Sequence, residues 1–134
     1  MKTISRLFFA AAIVASIGFA SCQRTKDALG LDTMYNSLST GRWVAWTTTT
    51  SPGATMDNLP AGGYVSFNKN GTAWAYDGSG QQIGVQHNYS IIDTKTMVFD
   101  NVTYKIQENF AGSFKTLTLV NASAGVTTTQ AFSR

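Results

Sequence analysis

Thr96-Met97-Val98-Phe99-Asp100-Asn101-Val102-Thr103-Tyr104-Lys105-Ile106-Gln107 is the stretch on which the fold reading turns. Val102, Tyr104 and Ile106 alternate with Thr103, Lys105 and Gln107, the period of a strand with one dry and one wet face. Asp100-Asn101, just before them, is a two-residue hairpin signal. The segment predicts two antiparallel strands joined by the shortest kind of connection.

The same reading extends in both directions. Downstream, residues 108–113 form a loop, and Leu117 and Leu119 alternate with Thr116 and Thr118 over 115–121. After a turn at 122–125, Val126, Thr128, Gln130 and Phe132 oppose Thr127, Thr129, Ala131 and Ser133 over 126–133. Upstream, strands are predicted over 42–50, 63–68, 72–77 and 82–92, the last with an irregularity at Gly84. Asn70-Gly71 and Asp77-Gly78-Ser79-Gly80 are turn chemistry between them. Short links force neighbouring strands to run antiparallel. Eight such strands in sequence order close most simply into an up-and-down barrel, which leaves no exposed edge. The alternative, a two-sheet sandwich, needs a long crossing. The only long connection is Ser51-Pro52-Gly53-Ala54-Thr55-Met56-Asp57-Asn58-Leu59-Pro60-Ala61-Gly62.

Ahead of the strands, Leu31, Met34, Tyr35 and Leu38 fall at helical spacing and predict a short amphipathic helix. The beginning of the chain has another character. Lys2 and Arg6 are its only charges up to Cys22, and residues 7–19 are apolar or small. That order predicts a secretory signal. The apolar run falls short of the roughly 20 residues of a membrane span. Ala20-Ser21-Cys22, with the only cysteine of the chain, resembles the lipobox of bacterial lipoproteins, with Phe19 in place of the usual aliphatic residue. The resemblance implies removal of residues 1–21 and a lipid on Cys22. It divides the chain into a signal (1–21), a lipidated tether (22–40) and a β domain (41–134). Without Lys2 and Arg6, the basic residues fall from 10 to eight against seven acidic, a net charge of +1. No basic stripe remains to follow phosphates, so nucleic acid is not an expected partner.

Leu38-Ser39-Thr40-Gly41-Arg42-Trp43 resembles the opening of lipocalin-like domains, where Gly-x-Trp starts the first strand after a helical turn that plugs the barrel. Phe67-Asn68-Lys69-Asn70-Gly71-Thr72 resembles the Phe-x-x-x-Gly-Thr turn of the small lipocalin-like lipoproteins common in Bacteroidetes, and Tyr89-Ser90-Ile91 and Tyr104-Lys105-Ile106 resemble their later strands. The resemblance covers residues 38–134. It implies an eight-stranded barrel with Gly41 and Trp43 as its signature, and a late arginine lying across the tryptophan. Arg134 is the one late arginine, and the implied contact holds if its guanidinium lies within about 6 Å of the Trp43 ring. The plain alternative is a C-terminal arginine in solvent. The resemblance also implies an outer-membrane lipid anchor. Gln23-Arg24-Thr25-Lys26-Asp27 lacks the acidic doublet of surface-export signals, which favours a periplasm-facing position. Asp32-Thr33-Met34 resembles the O-glycosylation acceptor of exported Bacteroidetes proteins, with Thr33 as the modified residue.

Chemistry-bearing groups are few. His87 is the only histidine, and a triad would pair it with Asp93 or Asp100, yet no Gly-x-Ser-x-Gly elbow is present. Borderline metals want several His or Cys ligands, and Asp77-Gly78-Ser79-Gly80 has too few carboxylates for a calcium loop. The reading is therefore a non-enzyme with no cofactor and no metal. Two functions stay open. One is a barrel holding a small apolar ligand, with Trp43, Phe67, Phe99, Tyr104, Leu117, Leu119 and Phe132 inside. Trp46, Trp74 and Tyr76 would then lie outside or at a mouth, and Met56 and Leu59 would form a lid. The other is a filled barrel serving as an envelope structural or protein-interaction module. Both share the anchor, which has its own test. Metabolic labelling with a fatty-acid analogue should mark the wild-type protein and spare Cys22→Ala; equal labelling of the two removes the anchor.

Overall fold

In a computed structural model of the chain, the structure describes residues 30–109 and 114–134. The signal (1–21), Cys22, the tether as far as residue 29, and residues 110–113 of the loop lie outside the described residues. Residues 30–39 form helix α1. Nine strands follow: β1 (Ala45–Ser51), β2 (Thr55–Asp57), β3 (Tyr64–Phe67), β4 (Thr72–Tyr76), β5 (Gln82–Asp93), β6 (Thr96–Phe99), β7 (Val102–Ile106), β8 (Thr116–Ser123) and β9 (Val126–Ser133). They form one antiparallel sheet in the order β2-β1-β9-β8-β7-β6-β5-β4-β3.

The hairpin that opened the reading has the expected geometry. Asp100 (φ 47°) and Asn101 (φ 65°) both adopt positive φ, as a type I′ turn requires, and Val98 pairs with Thr103. Ala124 (φ 51°) and Gly125 (φ 78°) repeat the device between β8 and β9. In the β4–β5 turn, Asp77 Oδ1 accepts from Ser79 N, Ser79 Oγ and Gln81 N, each within 2.9 Å. These bonds, the Ser79 hydroxyl first, hold its carboxyl below the usual range. Gly84 (φ 70°) sits where β5 loses register with β4, between the Ala75 and Ala73 pairings. Helix α1 buries Met34 and Leu38 and packs Leu31 and Tyr35 against the same core.

Two expectations are corrected. The described residues form nine strands rather than eight, and the sheet they make does not close into a barrel. The cause lies in the connection read as one long loop. Its Thr55–Asp57 segment folds back as β2 and pairs with Thr47–Thr49 of β1. Asn58 N continues the contact by donating to Trp46 O at 2.9 Å. That occupies the edge of β1 that β3 would need for a ladder. β3 reaches the incoming chain only at one bridge, Trp43 to Val65, with N–H···O distances of 3.0 and 2.8 Å. The other half of the closure forms fully, since β1 pairs with β9 from Ala45–Ser133 to Ser51–Thr127.

The turn at Asn70-Gly71 has little room for change. Gly71 has φ +84°, and a Cβ there would lie 2.7 Å from the backbone oxygen of Tyr89 on β5. Gly71→Ala should cost about 2–4 kcal/mol, combining the left-handed penalty with displacement of β5. Gly125→Asn, at positive φ but in open space, should cost less than about 1 kcal/mol. Denaturant titration of the two variants measures both.

Candidate functional site

The end of the sheet beside α1 is built around Trp43, which is fully buried. Its indole Nε1 donates to Leu38 O at 2.9 Å, the last buried residue of α1. Phe67 meets the ring edge-on at 5.9 Å, and Phe114 lies at 5.7 Å. The Arg134 guanidinium lies 4.3 Å over the indole face, inside the 6 Å limit, and its Nη2 donates to Ser37 O of α1. Arg134 N donates to Lys115 O, which fixes the chain end beside β8. Burial lowers the guanidinium pKa, and Nε is buried with no hydrogen-bond partner among the described residues. That cost is accepted because the ring face and the helix carbonyl hold the charge. Gly41 (φ +77°) turns the chain from α1 toward Trp43.

From Trp43 a column of rings runs up the interior. Phe67 contacts Phe132 at 5.3 Å and Tyr89 at 5.3 Å. Phe132 stacks on Trp46 at 5.4 Å and 18°, and Phe99 meets Trp46 edge-on at 5.9 Å. Tyr89 donates its hydroxyl to Asn68 O, and burial, then the neighbouring Tyr35, pushes its pKa up. Trp46 Nε1 and Thr48 Oγ1 both donate to Gln130 Oε1 at 2.8 Å, so the polar atoms at the top of the column are paired.

The residues read as a ligand rim do not assemble. Trp46 is not outside but in the core, with 6% of its surface exposed. Simple alternation from Trp43 placed it outward. Val44 and Ala45 both oppose Ser133, however: Val44 N donates to Ser133 O, while Ala45 is its register partner. This extra residue shifts the facing of everything after it, as a bulge does. Met56 is exposed on β2, whereas Leu59 packs against the core. Trp74 and Tyr76 lie half-buried on the outer face of β4, because Ala73 and Ala75 take the inner one. There Tyr76 stacks on Tyr64 of β3 at 4.9 Å, and Arg42 lies 4.2 Å over the Tyr64 ring.

His87 Nδ1 lies 2.6 Å from Asp100 Oδ2, whereas Asp93 Oδ1 accepts from Lys95 N instead. The imidazole stacks on Phe99 and meets Trp46 edge-on at 4.9 Å. The pair ties β5 to the β6–β7 turn, and no serine or threonine hydroxyl reaches His87 among the described hydrogen bonds. No group of three or more His, Cys, Asp or Glu among the described residues can hold a metal ion. Thr33 is exposed on α1. No protein-family model matches the chain, and no curated protein matches it. Phe114 was missed as a core residue; the only signal was an aromatic immediately before a strand.

Trp43→Ala should cost about 3–5 kcal/mol in denaturant titration, the range of an emptied aromatic site. Arg134→Ala should cost about 1–3 kcal/mol from the lost ring and carbonyl contacts. Arg134→Lys should recover less than half of that, because an ammonium lacks the planar face that stacks on indole.

Proposed function

We propose that the chain is a non-enzymatic, lipid-anchored envelope protein, whose lipocalin-like β domain has a filled interior and acts through its outer surface. The observation that carries this reading is the ring column from Phe114 through Trp43, Phe67 and Phe132 to Trp46, which occupies the space a ligand would use. The curved inner face of the nine-stranded sheet leaves a space that side chains of this size can fill. The lipocalin-like part is supported by Gly41, Trp43 and the Arg134 guanidinium over the indole. The anchor is supported by the order of charge, apolar run, small residues and Cys22 in the sequence.

The outer surface supports a contact role. Arg42, Tyr64, Trp74 and Tyr76 gather on the outer face of β3 and β4, at one end of the strand order. Arginine and large aromatic residues are the types that dominate binding energy at protein interfaces. A ligand-filled barrel and an interaction module differ in two measurements. The wild-type domain should bind no apolar fluorescent probe saturably, across lipids, bile acids and aromatic metabolites. A photo-cross-linker at Ser66, beside Trp74, should join a discrete envelope protein in cells, and Trp74→Ser with Tyr76→Ser should abolish that product. Saturable micromolar probe binding that perturbs tryptophan emission would return the reading to a small apolar ligand.

A further inference from the structure

The antiparallel order gives the sheet two ends. Connections β3–β4, β5–β6 and β7–β8 and the chain end lie at the end covered by α1; connections β1–β3, β4–β5, β6–β7 and β8–β9 lie at the far end. The charges follow this division. Lys69, Lys95 and Lys115 stand in the three helix-end connections, and Arg134 ends the chain there. Lys105 joins them, since it pairs with Thr96 at the start of β6. All four lysines are exposed. Asp57, Asp77 and Asp100 stand in far-end connections, which carry no lysine or arginine.

Acids stand at the helix end too, in the same number as at the far end, and some acids at both ends are engaged in hydrogen bonds. Asp32 lies on α1; Asp93 Oδ1 accepts from Lys95 N, and Glu108 Oε2 accepts from Thr118 N. Five lysines and arginines therefore stand with three acids at the helix end, against three acids with no lysine or arginine at the far end. Arg42, over Tyr64, lies on the flank between them. Summed over the described residues the charges cancel, so a global net charge hides the separation.

The chain preceding the structure leaves from the positive end. Residue 30 opens the described part of α1, and Cys22 stands eight residues before it. At full extension, that leash spans at most about 28 Å. It holds the domain at a surface without choosing which face meets it. Charge can choose, because basic groups are drawn to anionic headgroups within a Debye length, about 8 Å at physiological salt.

We propose that the helix end, through Lys69, Lys95, Lys105 and Lys115, is a docking face for an anionic phospholipid surface. It would hold the domain with its acidic far end pointing away from the membrane and the aromatic face of β3 and β4 free on the side. This rests on the lipid-anchor reading, so the test supplies the anchor chemically. The mature chain is coupled through the Cys22 thiol to a maleimide lipid, in phosphatidylcholine vesicles with or without phosphatidylglycerol. Lysines are footprinted with an acylating reagent and carboxylates with a carbodiimide, each read by mass spectrometry.

With phosphatidylglycerol present, acylation of Lys69, Lys105 and Lys115 should slow severalfold, while labelling of Asp57 and Asp100 stays unchanged. High salt should erase the difference. The side chains of Lys69 and Lys115 hold no described hydrogen bond or ion pair, so Lys69→Gln with Lys115→Gln is expected to leave the fold intact. In that variant, Lys105 should react equally on both kinds of vesicle. Equal lysine labelling of the wild type on the two vesicles, or equal slowing at both ends of the domain, overturns the docking face. Failure of native acylation at Cys22 appears separately, in the fatty-acid labelling.

Discussion

The buried indole of Trp43 is the contact on which the rest of the domain depends. It joins four separate parts of the described chain: α1 through Leu38 O, β3 through the Val65 bridge, the β7–β8 connection through Phe114, and the last residue through Arg134. These residues are distant in sequence, so their meeting closes several loops at once. The entropy of those closures must be offset by local contacts. A large ring supplies them in quantity, through apolar area, ring–ring contacts and a cation on its face. The indole N–H matters as much, because a buried donor left unpaired would cost about 1–3 kcal/mol.

A second constraint follows one residue later. The strand leaving Trp43 begins in contact with β3 and must then pair with β9. The doubled residue at Val44 and Ala45 makes that change of partner and turns Trp46 inward. With Trp46 in the core, the ring column is continuous and the interior is occupied. The same change leaves one edge of β1 unpaired, and β2 covers it. The open seam and the filled core are thus two results of one local irregularity. The β2 edge is short, which limits the exposed hydrogen-bonding groups that would otherwise invite another strand.

With rings filling the inner face, the groups open to contact lie on the surface, where the sheet presents different chemistry in different directions. Alternation places Trp74 and Tyr76 outside because Ala73 and Ala75 fill the narrow space within. Turn chemistry contributes too. Asp77 is needed to cap its own turn, and Asp100 at positive φ both shapes a hairpin and holds His87. Residues chosen for turn geometry therefore also give the far end its negative charge. The helix-end turns use Asn, Gly and Thr for shape, and leave neighbouring positions to lysine.

Much of the architecture was legible in the sequence because its signals are local. Helical spacing at Leu31, Met34, Tyr35 and Leu38, alternation around Tyr104 and Leu117, and turn residues at Asp100-Asn101 each depend on a few neighbours. Those elements, their antiparallel order and the inward set of Phe67, Phe99, Tyr104, Leu117, Leu119 and Phe132 were determined by sequence alone. The facing of Trp46, the pairing of Thr55–Asp57 with β1, the core role of Phe114 and the open seam were decided only in three dimensions. The physical reason is that an extra residue in a strand carries no local signature. It forms where two partners compete for one edge, and that competition exists only once distant strands have met.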